Sequence, residues 1–182
     1  MKLVLDTCVL FPTVMREMLT GAAGLGHFTP LWSGRILEEW ARAARKLGPD
    51  GEAQARAEIA LLKAAWPRAE LPPAQRLEAR LFLPDPGDIH VLAVAVAGSA
   101  DAIVTLNAKD FPRRILTEEG VDRIDPDTLM MRFLAENEEG VRGLAKRVLA
   151  EADQMSGRTW TLRQLFKKAR LPRLAKALSQ PG

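Results

Sequence analysis

Asp6, Asp85, Asp88, Asn107 and Asp110 are the residues whose types and spacing suit chemistry. Asp6 interrupts the apolar run from Lys2 to Leu10. Asp85 and Asp88 sit in the loop Pro84-Asp85-Pro86-Gly87-Asp88, and Asn107 and Asp110 follow Ile103-Val104-Thr105. In open parallel sheets, ligands bind beyond the carboxyl ends of the strands, so these groups can share one cleft. Carboxylates drawn together cannot all stay ionised unless a cation neutralises them. Hard divalent cations such as Mg²⁺ or Mn²⁺ take oxygen ligands, and the chemistry they support is phosphoryl transfer with water as nucleophile. Each acid alone has a plainer reading. Asp6 suits a strand-end turn, Asp88 a helix cap, and Asp110, before Phe111-Pro112, a turn. Their shared position at strand ends favours the site.

The elements that must position these residues follow from pattern. Lys2 onward reads as a buried strand ending near Asp6, and Phe28 to Trp32 as a second strand. Ala69 to Leu71, Ala102 to Leu106 and Val121 to Ile124 read as three more strands. Helices are expected at Thr13 to Ala23, from Ser33 as N-cap through Ala44, and at Glu52 to Trp66. Further helices are expected at Ala74 to Leu81, Ile89 to Ala97 and Thr128 to Ala135. Strands alternating with helices imply an α/β fold with a short parallel sheet. Beyond Glu136 the pattern is wholly helical: Glu139 to Met155, Leu162 to Ala169 and Leu174 to Leu178. The expected organisation is a domain over residues 1–136 and a helical region over residues 137–182.

Composition sets the outer limits. The 182 residues are 47% hydrophobic and 27% charged, which excludes disorder of the whole chain. The single cysteine, Cys8, excludes an internal disulfide framework and a multi-cysteine zinc site. No apolar stretch approaches the roughly 20 residues of a membrane span, and the charged start does not suit a signal peptide, so a cytoplasmic location is expected. The net charge of +3 divides unevenly. From Gly140 onward ten Lys/Arg face two acids, whereas the remainder carries −5. A basic tail suits a polyanionic partner or, more plainly, a solvated helical face.

Four segments carry a family resemblance. Leu5-Asp6-Thr7-Cys8-Val9-Leu10 resembles the LDTNVL opening of PIN-domain ribonucleases, with Cys8 where the family has Asn. Ile36-Leu37-Glu38-Glu39-Trp40 resembles the helix that carries the family's second acid. Pro84-Asp85-Pro86-Gly87-Asp88-Ile89-His90-Val91-Leu92 is similar to its DPDDxHVLAAA segment. Ile103 to Pro112 is similar to its IVTxNxxDFP segment. The resemblance spans residues 2–135 in order and is nearest the VapC-type toxins. It implies an α/β/α sandwich and a Mg²⁺- or Mn²⁺-dependent ribonuclease. Asp6, Glu39 (or Glu38), Asp88 and Asp110 would then be metal ligands, with Asn107 as a neutral oxygen donor at the fourth station. Asp85 becomes auxiliary and Thr105 a group that orients water or phosphate. It also implies an RNA substrate, a cognate antitoxin and, in many members, a homodimer.

Arg163, Lys167, Lys168, Arg170 and Arg173 surround an apolar set and suit contact with a phosphate backbone. A packing region with a solvated rim, or a docking site for an antitoxin segment, reads equally from these residues. Two other classes remain open at this level. One is a phosphoacceptor-Asp domain centred on Asp6, either receiver-like or phosphatase-like. The phosphatase form lacks the second acid of its Asp-x-Asp motif, because position 8 is Cys. The other is a degenerate nucleic-acid-binding relative without catalysis, suggested by Cys8 and Asn107.

Overall fold

The computed structural model describes residues 1–180 and makes two compact units. The first spans residues 1–11 and 28–124 and is an α/β unit built on a five-stranded parallel sheet. Its strands are β1 (Lys2–Leu5), β2 (Thr29–Ser33), β3 (Glu70–Leu71), β4 (Ala102–Val104) and β5 (Asp122–Ile124), ordered β3-β2-β1-β4-β5. Leu3, Val4 and Leu5 are fully buried, as are Ile103 and Val104, which is why these strands read as unbroken apolar runs. The register pairs Val4 with both Leu31 and Ile103. From β1 the chain proceeds to β2 on one side and later to β4 on the other. The order therefore reverses between β1 and β4, and a crevice at their carboxyl ends follows from that topology.

The helices of this unit are α1 (Thr7–Leu10), α3 (Gly34–Ala43), α4 (Gly51–Ala65), α5 (Gln75–Glu78), α6 (Ile89–Ala97) and α7 (Arg113–Glu118). The omitted α2 (Thr13–Gly24) belongs to the other unit. Helix α6 packs on β1, β2 and β4, and Val91 to Ala95 are all buried, so its apolar character all round reflects burial. Ser33 caps α3 as expected, its Oγ accepting from the Ile36 N–H at 3.3 Å. Helix α7 had no counterpart in the sequence reading; its six residues bury only Leu116 and show little periodicity.

The second unit spans residues 12–27 and 125–180 of the described chain. It contains α2 with α8 (Pro126–Glu136), α9 (Glu138–Ser156), α10 (Leu162–Lys168) and α11 (Pro172–Leu178). Its core includes Met18, Leu19, Phe133, Leu144, Phe166 and Leu174. Gly21 lies against Leu144, where a Cβ would fall 2.3 Å from a leucine methyl. The boundary expected after residue 136 falls inside this unit, because α2 and α8 pack on α9 and α11 packs on α8. Among the described residues no helix is long and apolar enough to cross a membrane.

Candidate metal centre

Asp6 follows β1 directly, and its backbone N–H donates to the Val104 carbonyl at 3.2 Å, which ties the end of β1 to β4. It stands at the N-cap of α1, but its carboxylate makes no cap bond. The Thr105 hydroxyl donates to Asp6 Oδ2 at 2.7 Å, and the Cys8 thiol donates to the same oxygen at 3.1 Å. Thr105 thus orients Asp6, and its hydroxyl also accepts from the Asn107 N–H at 3.0 Å. Cys8 Sγ in turn accepts from the Leu106 N–H at 3.2 Å. The thiol therefore ties Asp6 to the chain after β4. Burial, followed by the charge of Asp6, pushes the thiol up to about 12, so it remains a protonated donor.

Asp88 repeats the pattern at the start of α6. It occupies the N-cap without a side-chain cap bond, while Asp85 takes the local turn role by accepting from the Gly87 N–H at 2.8 Å. Asp85, Asp88 and Asp110 come together with one ligand oxygen each within 4.8 Å of one another. Burial pushes the Asp88 carboxyl up to about 6, and the charges of Asp6, Asp85, Asp110 and Glu39 add to the effect. Asp6 and Glu39 lie outside that close trio but act on Asp88 electrostatically. Asn107 donates its amide Nδ2 to Asp110 at 2.5 Å and to Asp88 at 3.4 Å. It therefore turns a nitrogen, not the expected oxygen, toward the acids, as a donor must where carboxylates converge.

Glu38 and Glu39 separate clearly. Arg56 and Arg42 hold Glu38 in a surface network that lowers its carboxyl to about 2. Glu39 faces the crevice, where its Oε2 accepts from the Thr7 hydroxyl at 3.2 Å and its Oε1 lies 2.9 Å from His90 Nε2 and 3.4 Å from Arg35 Nε. Burial pulls Glu39 upward, but His90, Thr7 and Arg35 outweigh it and leave the carboxyl below its ordinary range. Thr7 and Arg35 were not singled out from sequence, because neither has a local pattern that points to a carboxylate on another element. His90, almost fully buried, lies against Glu39.

The donor set of Asp6, Glu39, Asp85, Asp88 and Asp110 is all carboxylate, and its mutual repulsion at Asp88 is the kind a hard divalent cation relieves. The residues present fit such an ion.

The basic tail residues lie in the second unit. Arg163, Lys167 and Arg170 are exposed, whereas the Lys168 ammonium sits 4.9 Å from the Trp160 ring centre. Arg173 donates its guanidinium to the Thr128 hydroxyl at 3.0 Å. Asp127, buried, accepts from the backbone N–H groups of Arg173 and Leu174 and so caps α11 from 46 residues away.

A family model described as PIN domain matches residues 2–109, more than half of the chain. No curated protein and no solved structure gives a significant match.

Proposed function

This chain belongs to the PIN-domain family, a nuclease fold, and from that premise we propose that it is a divalent-metal-dependent ribonuclease that acts as the toxin of a toxin–antitoxin pair in the cytoplasm. The observation that carries the nuclease reading is the carboxylate trio of Asp85, Asp88 and Asp110 beside Asp6 at the reversal of strand order. Asp6, Glu39, Asp88 and Asp110 would hold Mg²⁺ or Mn²⁺, with Asp85 alongside. The cation would supply positive charge that lowers the pKa of an attacking water and offsets charge on the phosphoryl oxygens.

The chain's own groups prepare that site. Thr105 and Cys8 fix one oxygen of Asp6 after β1, and Thr7, His90 and Arg35 fix Glu39 on α3, so two acids from different elements are held before substrate arrives. The toxin assignment rests on the order of the four motifs. It carries with it an antitoxin partner, RNA as substrate and, as in relatives, a homodimer. A neighbouring reading frame encoding a small protein with a DNA-binding start is its direct check.

The test is cleavage of structured RNA by purified protein in Mn²⁺. Asp6→Asn and Asp88→Asn are expected to lower the rate at least about 100-fold, the scale on which losing an electrostatic transition-state contact acts. Equal cleavage by both variants would sink the assignment. Calorimetric titration with Mn²⁺ separates this reading from that of a degenerate nucleic-acid-binding relative, which would bind the ion poorly.

A further inference from the structure

The first unit contains a second concavity. A cleft of about 710 Å³ lies against the ends of β2 and β3, with Pro72 and Pro73 as apolar wall and Arg35, Gln75, Glu78 and His90 as polar lining. That volume is in the range of about 300–1,000 Å³ typical of small-molecule sites. Two residues join it to the carboxylates. Arg35 reaches Glu39 at 3.4 Å, the Gly87 carbonyl at 3.3 Å and Glu78 at 3.7 Å. His90, 1% exposed, has Nε2 2.9 Å from Glu39 Oε1, and both of its ring nitrogens are buried without a well-formed hydrogen bond among the described residues. A buried ring nitrogen left unpaired is costly, so His90 carries unused polar capacity where the cleft adjoins Glu39.

We infer that this cleft is the subsite for the base next to the scissile phosphate and that it selects guanine. The inference rests on the ribonuclease reading. Single-stranded RNA is read by splaying a base out of the stack and bonding its edges, and a cleft beside the carboxylates suits such a base. Glu78 is acceptor-only when ionised, and its contact with Arg35 is loose at 3.7 Å. Of the four bases, guanine alone places two donors, N1–H and the 2-amino group, side by side on its pairing edge. Uracil presents one N–H between two carbonyls that a carboxylate repels, and adenine and cytosine each set a bare ring nitrogen beside their amino group. Arg35 and the Gln75 amide supply donors for guanine O6 and N7. The proline rings give an apolar face for the base plane.

The experiment titrates the full chain with 5′-GMP, AMP, CMP and UMP in EDTA, followed by calorimetry. GMP is expected to bind at least about tenfold more tightly than the others, as one good bidentate edge contact provides. Glu78→Gln should reduce that preference to within about twofold, and Gln75→Ala should weaken GMP binding several-fold. Both positions lie on the short surface helix α5, so thermal unfolding of each variant near the wild-type midpoint verifies its fold. Uniform binding of all four nucleotides, or a preference that survives Glu78→Gln, overturns the assignment of the cleft in a chain that cuts RNA. Selective GMP binding by a chain that does not cut RNA in Mn²⁺ overturns instead the ribonuclease reading, and with it the place of the cleft beside a scissile phosphate.

Discussion

Asp88 concentrates the electrostatic cost of the site in one carboxyl. Its ordinary value is 3.8, and in the folded chain burial and four neighbouring acids push it up to about 6. Without a cation, the folded chain therefore holds a proton between those values that the unfolded chain has released. The resulting stability is fully present below 3.8 and is lost as pH rises through about 6. Asp88→Asn removes this dependence. In EDTA the variant is expected to unfold at a higher temperature than wild type at pH 7, with the gap closing toward pH 4; a gap that stays constant across that range contradicts the coupling. Cys8 makes the opposite case, a reactive type made inert. With its thiol pushed up to about 12, alkylation by iodoacetamide at pH 8 should be slower than for a free cysteine by on the order of a thousandfold, because the thiolate is the nucleophile. Glu38 and Glu39 are adjacent, yet only Glu39 meets the crevice. Glu39→Gln should reduce cleavage sharply, whereas Glu38→Gln should affect only the surface network with Arg42 and Arg56.

At the scale of elements, the caps separate structural from functional acids. Ser33, Asp125, Asn137 and Thr161 each occupy an N-cap and accept a backbone N–H with the side chain. Thr161 completes a capping box with Gln164. Asp6 and Asp88 occupy the same kind of position at α1 and α6 and make no such bond. An absent cap bond does not by itself mark a ligand, since Asp50 at the start of α4 makes none either; what distinguishes Asp6 and Asp88 is that both belong to the acidic group around Asp88. Ser33→Ala and Thr161→Ala should each cost about 1 kcal/mol in denaturant unfolding, whereas Asp88→Ala should show no such loss from capping. Taken alone in the sequence, Asp88 reads as a cap more readily than as a ligand, because local pattern sets the position of a cap but not the direction of its side chain. The turn Gly48-Pro49-Asp50-Gly51 is set by local geometry. Gly48 adopts φ 125°, and a Cβ on Gly51 would strike the Ala44 carbonyl at 2.2 Å.

Across the whole molecule, the net charge of +3 conceals a division between the acidic site of the first unit and the basic surface of the second. If that surface carries RNA, replacing Arg163, Lys167 and Arg170 together with Gln should reduce the slope of log binding constant against log salt by about 2. Each single-strand phosphate contact contributes about 0.7. A slope that does not change would show the surface to be a solvated rim. Arg173 is left out of that set because its guanidinium is committed to Thr128.

The sequence by itself determined the strands, most of the helices and the acids at the strand ends, since strand burial, helix period and cap chemistry depend on residues near one another in the chain. Only the tertiary structure decided which of those acids meet. The β3-β2-β1-β4-β5 order sets Thr105 on Asp6, sets Thr7 and His90 on Glu39, and brings Asn107 to Asp88. It also decided that α2 packs with the C-terminal helices rather than staying with the strands beside it in sequence. Contacts across 19 to 99 residues of chain leave no periodic trace, and their energy depends on burial and charge that exist only once the elements have packed.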